Sequence, residues 1–322
     1  MKAIHVKAPG GPEAMQVVDL PTPVPGPKQA LVRIAASGVN FIDVYFRTGL
    51  YKADPPVALG SEAAGTVEAV GSDVTLVAPG DRVAYAMVRG SYAEYAVVSE
   101  AQLVKLPETV DFQSAAAAML QGMTAQYLTH STFPLAAGQT CVVHAAAGGA
   151  GRLIAQMAKA RGARVLGTVS SPEKAAIAVA AGVDHPINYS ETSFDTEVRR
   201  LTDGDGVDVV YDSVGKTTFE KSMACLRPRG MLVLFGQSSG PVAPFDPQIL
   251  NARGSLFLTR PSLAHYLLTR EELLWRAGDV LTAVERGALN LRIDRTYPLG
   301  DAADAHRDLE SRRSTGKLLL IP

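Results

Sequence analysis

Two textures of hydrophobic and polar residues follow one another along the chain. Up to about position 120, short segments alternate apolar and polar residues between Gly and Pro breaks, at 30–35, 63–70, 82–85 and 92–98. Alternation with period two marks half-buried strands. The run Ala64-Gly65-Thr66-Val67-Glu68-Ala69-Val70 followed by Gly71-Ser72-Asp73 reads as a strand entering a turn, and Pro79-Gly80-Asp81 makes another turn. This spacing predicts a small barrel or a partly open antiparallel sheet.

From about 122 to 258 the pattern becomes strand–helix–strand. Residues 141–145 form a short apolar run of the buried-strand kind, 149–161 have helical spacing, and 164–169 make the next strand. Ser171-Pro172-Glu173 starts a helix well, with a hydroxyl cap, proline at the first helical position and an acid in the first turn; Gly182 stops it. Further strands are expected at 186–188, 207–213, 231–235 and 255–258, with helices near 194–201 and 217–226. Alternation of this kind predicts a parallel sheet wound on both faces, with right-handed crossovers. Beyond about 259 the chain shows an amphipathic helix with Leu273, Ala277, Val280, Leu281 and Val284 on one face, a second helix near 302–312 and a last strand at 317–321. That tail is too short to fold alone. The expected organisation is a β-rich domain at 1–121, a doubly wound α/β domain at 122–265, and a segment at 266–322 that returns to the first.

Length agrees, since 322 residues exceed what one core usually sustains. Charge narrows the partner. With 31 basic and 32 acidic residues, no net field draws the chain to nucleic acid or an anionic membrane, and a small molecule is the expected ligand. No apolar run reaches the roughly 18 residues of a membrane span, and no secretory leader is visible. The two cysteines, Cys141 and Cys225, make no disulfide framework, so a reducing, cytoplasmic setting is expected.

The sharpest motif is Ala145-Ala146-Ala147-Gly148-Gly149-Ala150-Gly151, directly after one expected strand and opening a helix. That is the context of a dinucleotide fingerprint. Gly148 lets backbone approach a pyrophosphate, Gly151 lets helix pack on strand, and the helix N-terminus offers N–H groups to phosphates. Ala146 stands where the first glycine of the common pattern falls. An NAD site carries an acid about 20 residues on, for the ribose 2′-hydroxyl. This chain has Ser170 and Ser171 there, then Lys174, and hydroxyls with an ammonium suit the 2′-phosphate of NADPH. Ser171 is also the helix cap, and the two roles coexist.

The chemistry that is missing is equally informative. The six histidines are scattered singly, and neither cysteine sits in a ligand spacing, so no zinc set is found. There is no Gly-x-Ser-x-Gly elbow, no Tyr-x-x-x-Lys pair, and no residue that stands out as an indispensable proton donor. Without a metal or strong acid to polarise a carbonyl, the expected acceptors are already electron-poor: quinones first, activated alkenes second.

Taken together, Ser37-Gly38-Val39-Asn40-Phe41-Ile42-Asp43, Gly60-Ser61-Glu62-Ala63-Ala64-Gly65, the 145–151 loop, Asn188-Tyr189, Tyr211-Asp212-Ser213-Val214-Gly215 and Phe235-Gly236 resemble the medium-chain dehydrogenase/reductase superfamily. The resemblance covers nearly the whole chain and is to the zinc-independent quinone oxidoreductase (ζ-crystallin-like) branch. Zinc-containing members carry a cysteine where Asn40 stands and a histidine where Ser61 stands, and their four-cysteine lobe is absent here. The resemblance implies a GroES-like catalytic domain beside a Rossmann domain, and NADPH-dependent reduction of quinones. It places Asn40, Asp43 and Thr124 around the nicotinamide or its ribose, and Lys174, Tyr189 and Arg312 near phosphates or ribose. Gly148, Gly149, Ser170, Phe235, Ser238 and Leu258 complete its expected cofactor contacts. Asn40, Tyr45 and Tyr51 are candidates to line the acceptor pocket, the two tyrosines otherwise simply packing with a wet tip. It also implies a homodimer formed at a sheet edge around 231–235 to 255–258. Two other functions share these features: reduction of α,β-unsaturated carbonyls, and a non-catalytic NADPH-binding or RNA-binding role. Balanced charge and the lack of a basic, aromatic-rich stripe count against RNA.

Overall fold

The computed structural model describes residues 1–322. In chain order the first segment holds strands β1 (Lys2–Val6), β2 (Met15–Asp19) and β3 (Gln29–Val39), helix α1 (Phe41–Arg47), and strands β4 (Val57–Ala58), β5 (Glu62–Val70), β6 (Arg82–Ala86), β7 (Tyr95–Ser99) and β8 (Val104–Lys105). Helix α2 (Phe112–Tyr127) follows. Then come β9 (Thr140–Val143), α3 (Gly149–Ala160), β10 (Arg164–Val169), α4 (Pro172–Ala180), β11 (His185–Asn188), α5 (Phe194–Leu201), β12 (Val207–Asp212), α6 (Phe219–Ala224), β13 (Leu226–Leu234), α7 (Gln248–Ala252) and β14 (Phe257–Thr259). The tail adds α8 (Arg270–Glu285), β15 (Ile293–Pro298), α9 (Ala302–Glu310) and β16 (Lys317–Ile321). The chain forms two compact units, Met1–Met123 with Leu267–Pro322, and Thr124–Tyr266.

In the first unit, a mainly antiparallel seven-stranded sheet runs β15-β16-β3-β5-β6-β8, with β7 on the other part of β3, and a small sheet runs β2-β1-β4. The tail enters this sheet directly: β16 pairs antiparallel with β3, Leu318 opposite Val39. One core gathers Val32, Ile34, Val67, Val83, Tyr85 and Val98 between the strands. A second gathers Ile4, Val6, Val39, Leu59, Leu318 and Leu320. Several elements lie where the sequence pattern shows none. Helix α1 has only seven residues, too few for a period to appear. Residues 112–127, partly inside the strand-like texture, are helical; the Asp111 carboxylate caps α2 by accepting the Ser114 N–H at 2.8 Å.

The second unit is a six-stranded parallel sheet in the order β11-β10-β9-β12-β13-β14. Apolar residues such as those at 141–143, 165–166 and 209–211 fill the buried middles of its strands, as expected of a parallel sheet. The core between sheet and helices includes Val142, Leu166, Ile187, Val198, Phe219 and Leu232. Ser171 caps α4 by accepting the Lys174 N–H at 3.3 Å, and Gly182 follows the helix at φ +92. Two expectations change. Residues 231–235 fall mostly in β13, which is longer than its apolar stretch and interior, so the edge on that side of the sheet is β14 alone. The helix expected near 217–226 is shorter, because Cys225 already caps α6 and β13 starts at Leu226.

Candidate functional sites

In the second unit, all six strands run the same way, and the order reverses direction between β9 and β12. Ligands of open α/β sheets bind beyond the strands' C-terminal ends at such a switch point. The loop after β9 is tightly made. Ala145 takes φ +50, and its carbonyl accepts the Gly148 N–H at 2.8 Å. The left-handed residue is thus Ala145, one place before the missing glycine at Ala146. A Cβ on Gly151 would collide with the Ala145 carbonyl, whereas one on Gly148 would stand 3.2 Å from the same oxygen. Gly151 therefore serves helix–strand packing, and Gly148 keeps the N-terminal cap of α3 bare.

Four of the other expected cofactor residues of this unit follow the C-terminal ends of strands, and Lys174 opens the helix after β10. Ser170 follows β10, and Lys174 lies in the first turn of α4. Tyr189 follows β11, bonded to Val169 O at 3.0 Å, with 45% of its surface exposed. Phe235 and Ser238 follow β13, their N–H groups on Asp212 O at 2.9 Å and Ser213 O at 3.1 Å. Leu258 lies within β14, and Thr124 is buried in α2. A Cβ on Gly236 would come within 2.6 Å of Ser213 O, so backbone again approaches backbone where side chains are excluded. The cradle fits a dinucleotide: a bare helix N-terminus, glycine-lined turns, and hydroxyls with an ammonium after β10.

A buried network beneath the loop has no counterpart in the sequence analysis. Thr168 Oγ1 accepts the Ala145 N–H at 3.2 Å and meets His144 Nδ1 at 3.0 Å. His144 Nε2 meets Ser222 Oγ at 2.9 Å, and Ser222 donates to Asp212 Oδ2 at 2.8 Å. Asp212 is acceptor-only, so Ser222 must receive the His144 Nε2–H, and Nδ1 must accept from Thr168. Burial holds His144 below the usual histidine range, against the attraction of Asp212. The neutral ring thereby ties the ends of β9, β10 and β12 under the strained Ala145.

The first unit holds a second polar cluster. The Glu62 carboxylate, fully buried at the start of β5, accepts from Lys317 Nζ on β16, from Asn40 Nδ2 at 2.7 Å and from the Leu120 N–H in α2 at 2.6 Å. Asn40 Oδ1 accepts from Lys317 Nζ at 2.7 Å and Gln121 Nε2 at 3.2 Å, and its Nδ2 also reaches Gly38 O at 3.3 Å. Both lone pairs and both protons of this amide are thus engaged. It would take a cofactor atom only by exchanging one of these partners. Asp43, in the first turn of α1, accepts from Ser61 Oγ at 2.6 Å, Tyr92 Oη at 3.1 Å and the Asn40 N–H at 3.0 Å. Burial raises its pKa to about 6, even though these donors pull it down. Tyr92 Oη meets His306 Nε2 at 3.1 Å, and Arg47 Nη1 meets His306 Nδ1 at 3.2 Å. Arg47 also grips Glu310 with two bonds, at 2.8 and 2.9 Å. An arginine only donates, so His306 Nδ1 accepts and Nε2 carries the proton. Burial, then Arg47, lowers the His306 pKa to about 3.

Of the expected residues here, Asn40 and Asp43 are inside this cluster. Tyr45 and Tyr51 adjoin it through α1, their rings 5.1 Å apart. Arg312 follows α9 at φ +59. Glu62, Lys317, Tyr92, His306, Arg47 and Gln121 were not singled out; the one sequence signal was a lysine heading the apolar run 317–321. No group of three or more His, Cys, Asp or Glu side chains is placed to hold a metal ion. Asn40 and Ser61 give their polar atoms to neighbouring side chains, a donor set that does not fit zinc.

A switch-point cradle in one unit and a buried polar cluster in a β-rich unit define a nucleotide-dependent oxidoreductase of two-unit architecture. Residues 26–108 match the alcohol dehydrogenase GroES-like domain, and residues 149–273 match the zinc-binding dehydrogenase family. The chain is 48% identical to a quinone oxidoreductase of Pseudomonas aeruginosa, over 100% of this chain and 99% of that protein. It is 42% identical to a 2-haloacrylate reductase of a Burkholderia species, over 99% and 98%. The solved Escherichia coli quinone oxidoreductase complexed with NADPH matches with TM-score 0.98 and 41% identity, covering all of both chains. The chain belongs to the quinone oxidoreductase branch of the medium-chain dehydrogenase/reductase superfamily.

Proposed function

We propose that the chain is an NADPH-dependent quinone reductase that works without zinc. The observation that carries this reading is the state of the buried cluster. Asn40, Ser61, Asp43 and Glu62 satisfy one another and Lys317, so the site offers no metal-ligand set and no loose acid to polarise a carbonyl. An acceptor reduced there has to bring its own electron deficiency. NADPH supplies the hydride. The second unit's residues bind and orient it: the α3 N-terminus for the pyrophosphate, Ser170 and Lys174 for the 2′-phosphate, Tyr189 for the adenosine ribose. The NADPH complex of the Escherichia coli relative supports this choice of cofactor. Tyr51, partly exposed and packed on the buried Tyr45, offers a face for a planar ring.

Turnover of 1,4-benzoquinone by NADPH, undiminished by a chelator, is the expected result. Absence of turnover with any quinone sinks the reading. A second reading, reduction of activated alkenes, is favoured by the 2-haloacrylate reductase relative, and a haloacrylate or enone run beside the quinone separates the two. For the cofactor, Lys174→Ala should weaken NADPH binding by about tenfold to a hundredfold, the worth of a charge-assisted bond, and leave NADH unchanged. Equal losses for both cofactors would make Lys174 a surface residue only.

We also propose a homodimer through β14, whose Phe257 is 57% exposed at the sheet edge. Light scattering should then give about twice the 33.9 kDa chain mass. No helix is long and apolar enough to cross a membrane. Both cysteines are free and buried, and this supports a cytoplasmic setting, which cell fractionation would check.

A further inference from the structure

We propose that Lys317 is a positioning residue of the reduction site: its buried ammonium clamps Asn40 at the start of α1 and so sets the aromatic side chains that receive the acceptor. This rests on the function proposed above. Four segments meet in this cluster: the ammonium of Lys317 on β16 donates to Asn40 after β3 and to Glu62 at the start of β5, while in the middle of α2 the Leu120 N–H donates to Glu62 and Gln121 to Asn40. Lys317 is 3% exposed and Glu62 not at all, so the pair is buried from bulk solvent. Gly38 leaves the room they need, since a Cβ there would lie 2.7 Å from Lys317 Cε.

The charges dictate one orientation of the Asn40 amide. An ammonium only donates and a carboxylate only accepts, so Oδ1 must face Lys317 and Nδ2 must face Glu62. Asn40 is the residue on which α1 starts, with its own N–H on Asp43 at 3.0 Å. Phe41 and Tyr45 project from that helix, their rings 6.3 Å apart, and Tyr51 packs on Tyr45. Removing the ammonium takes away the shorter of the two donors on Asn40 Oδ1 and leaves only Gln121 at 3.2 Å, which loosens the start of α1 and lets these rings shift. Misplacement of an acceptor by about an ångström costs up to a hundredfold in rate.

The experiment compares wild type, Lys317→Met, and the double variant Lys317→Met with Glu62→Gln. The double variant removes both charges and keeps the volumes, so it folds even where the single variant, left with a lone buried carboxylate, does not. The readouts are NADPH dissociation constant, kcat/KM for benzoquinone and unfolding temperature. The proposal expects NADPH binding within about twofold of wild type in the double variant, with kcat/KM for the quinone lower by tenfold or more. A merely structural lysine moves stability in the single variant but gives no such split between cofactor and acceptor. Wild-type kcat/KM in the double variant overturns the proposal and leaves the function standing. Absence of quinone turnover by wild type removes both.

Discussion

Gly148→Val should leave the protein folded and weaken NADPH binding at least a hundredfold. Gly148 caps α3 at φ −78 and ψ 170, extended backbone that valine accepts without strain. Its Cβ would stand 3.2 Å from the Ala145 carbonyl, a contact relieved by a small shift. The cost in the free protein is therefore about 1 kcal/mol, that of a poorer helix cap. In the complex, the isopropyl group would occupy the space through which the backbone meets the pyrophosphate. A hundredfold loss corresponds to about 2.7 kcal/mol, modest against displacing two phosphates from a helix N-terminus. Gly151→Val makes the contrast, because its Cβ would collide with the Ala145 carbonyl whether or not cofactor is present. That variant should lose stability first. Titration by nucleotide fluorescence and thermal unfolding of both variants decides the matter, and wild-type affinity in a folded Gly148→Val protein would remove the pyrophosphate from this loop.

Those two glycines show which parts of the site are legible in a sequence. The loop, its strands and its helix lie within 30 consecutive residues, 140–169, and each is set by local rules: an apolar run, a glycine where backbone crowds backbone, a cap, a stop. Helices α5 and strands β10 and β16 accordingly fall where the pattern puts them. The cluster of the first unit is built by other means. Glu62 and Lys317 are 255 residues apart, Arg47 and Glu310 263, and Tyr92 and His306 214. Nothing local tells a lysine that pairs with a buried acid from one on a wet strand end. Lys317 heads an apolar strand, where the ordinary reading is a solvated flank. Asn40 and Asp43 stood out only through resemblance, which pointed toward cofactor. In the folded chain their side chains are spent on Lys317, Glu62, Ser61 and Tyr92. The support network under the glycine loop was hidden in the same way: Thr168 and His144 look like strand residues until Ser222 and Asp212 arrive from 54 and 44 residues beyond Thr168.

The same burial gives the first unit a titration that single substitutions should uncover. Asp43 has an ordinary pKa of 3.8 and, folded, about 6. Between those values the folded chain binds a proton that the unfolded chain has released, so this group adds stability below about pH 4 that is lost as pH rises through 6. At about 1.4 kcal/mol per pH unit, the gap is worth about 3 kcal/mol. His306 goes the other way, from an ordinary 6.5 to about 3. Its folded form lacks a proton that the unfolded form carries, so its contribution is present above about pH 6.5 and is lost on acidification toward 3. From pH 6 to 4 the two slopes oppose and nearly cancel, and the wild-type curve should carry little trace of either. His306→Gln keeps an acceptor for Arg47 and a donor for Tyr92 while removing the titration. Relative to wild type it should gain about 3 kcal/mol as pH falls from 7 to 4. Asp43→Asn should lose a similar amount over the same range, on top of a pH-independent penalty for its altered bonds to Ser61, Tyr92 and Asn40. The charged neighbours of the pair, Arg47, Glu310, Lys317 and Glu62, are common to all the proteins compared, so differences between variants isolate the two groups. Urea unfolding of wild type, both single variants and the double variant between pH 4 and 7 measures this. Opposed slopes in the single variants that vanish in the double are the expected pattern, and four parallel curves would mean that neither group changes its proton affinity on folding.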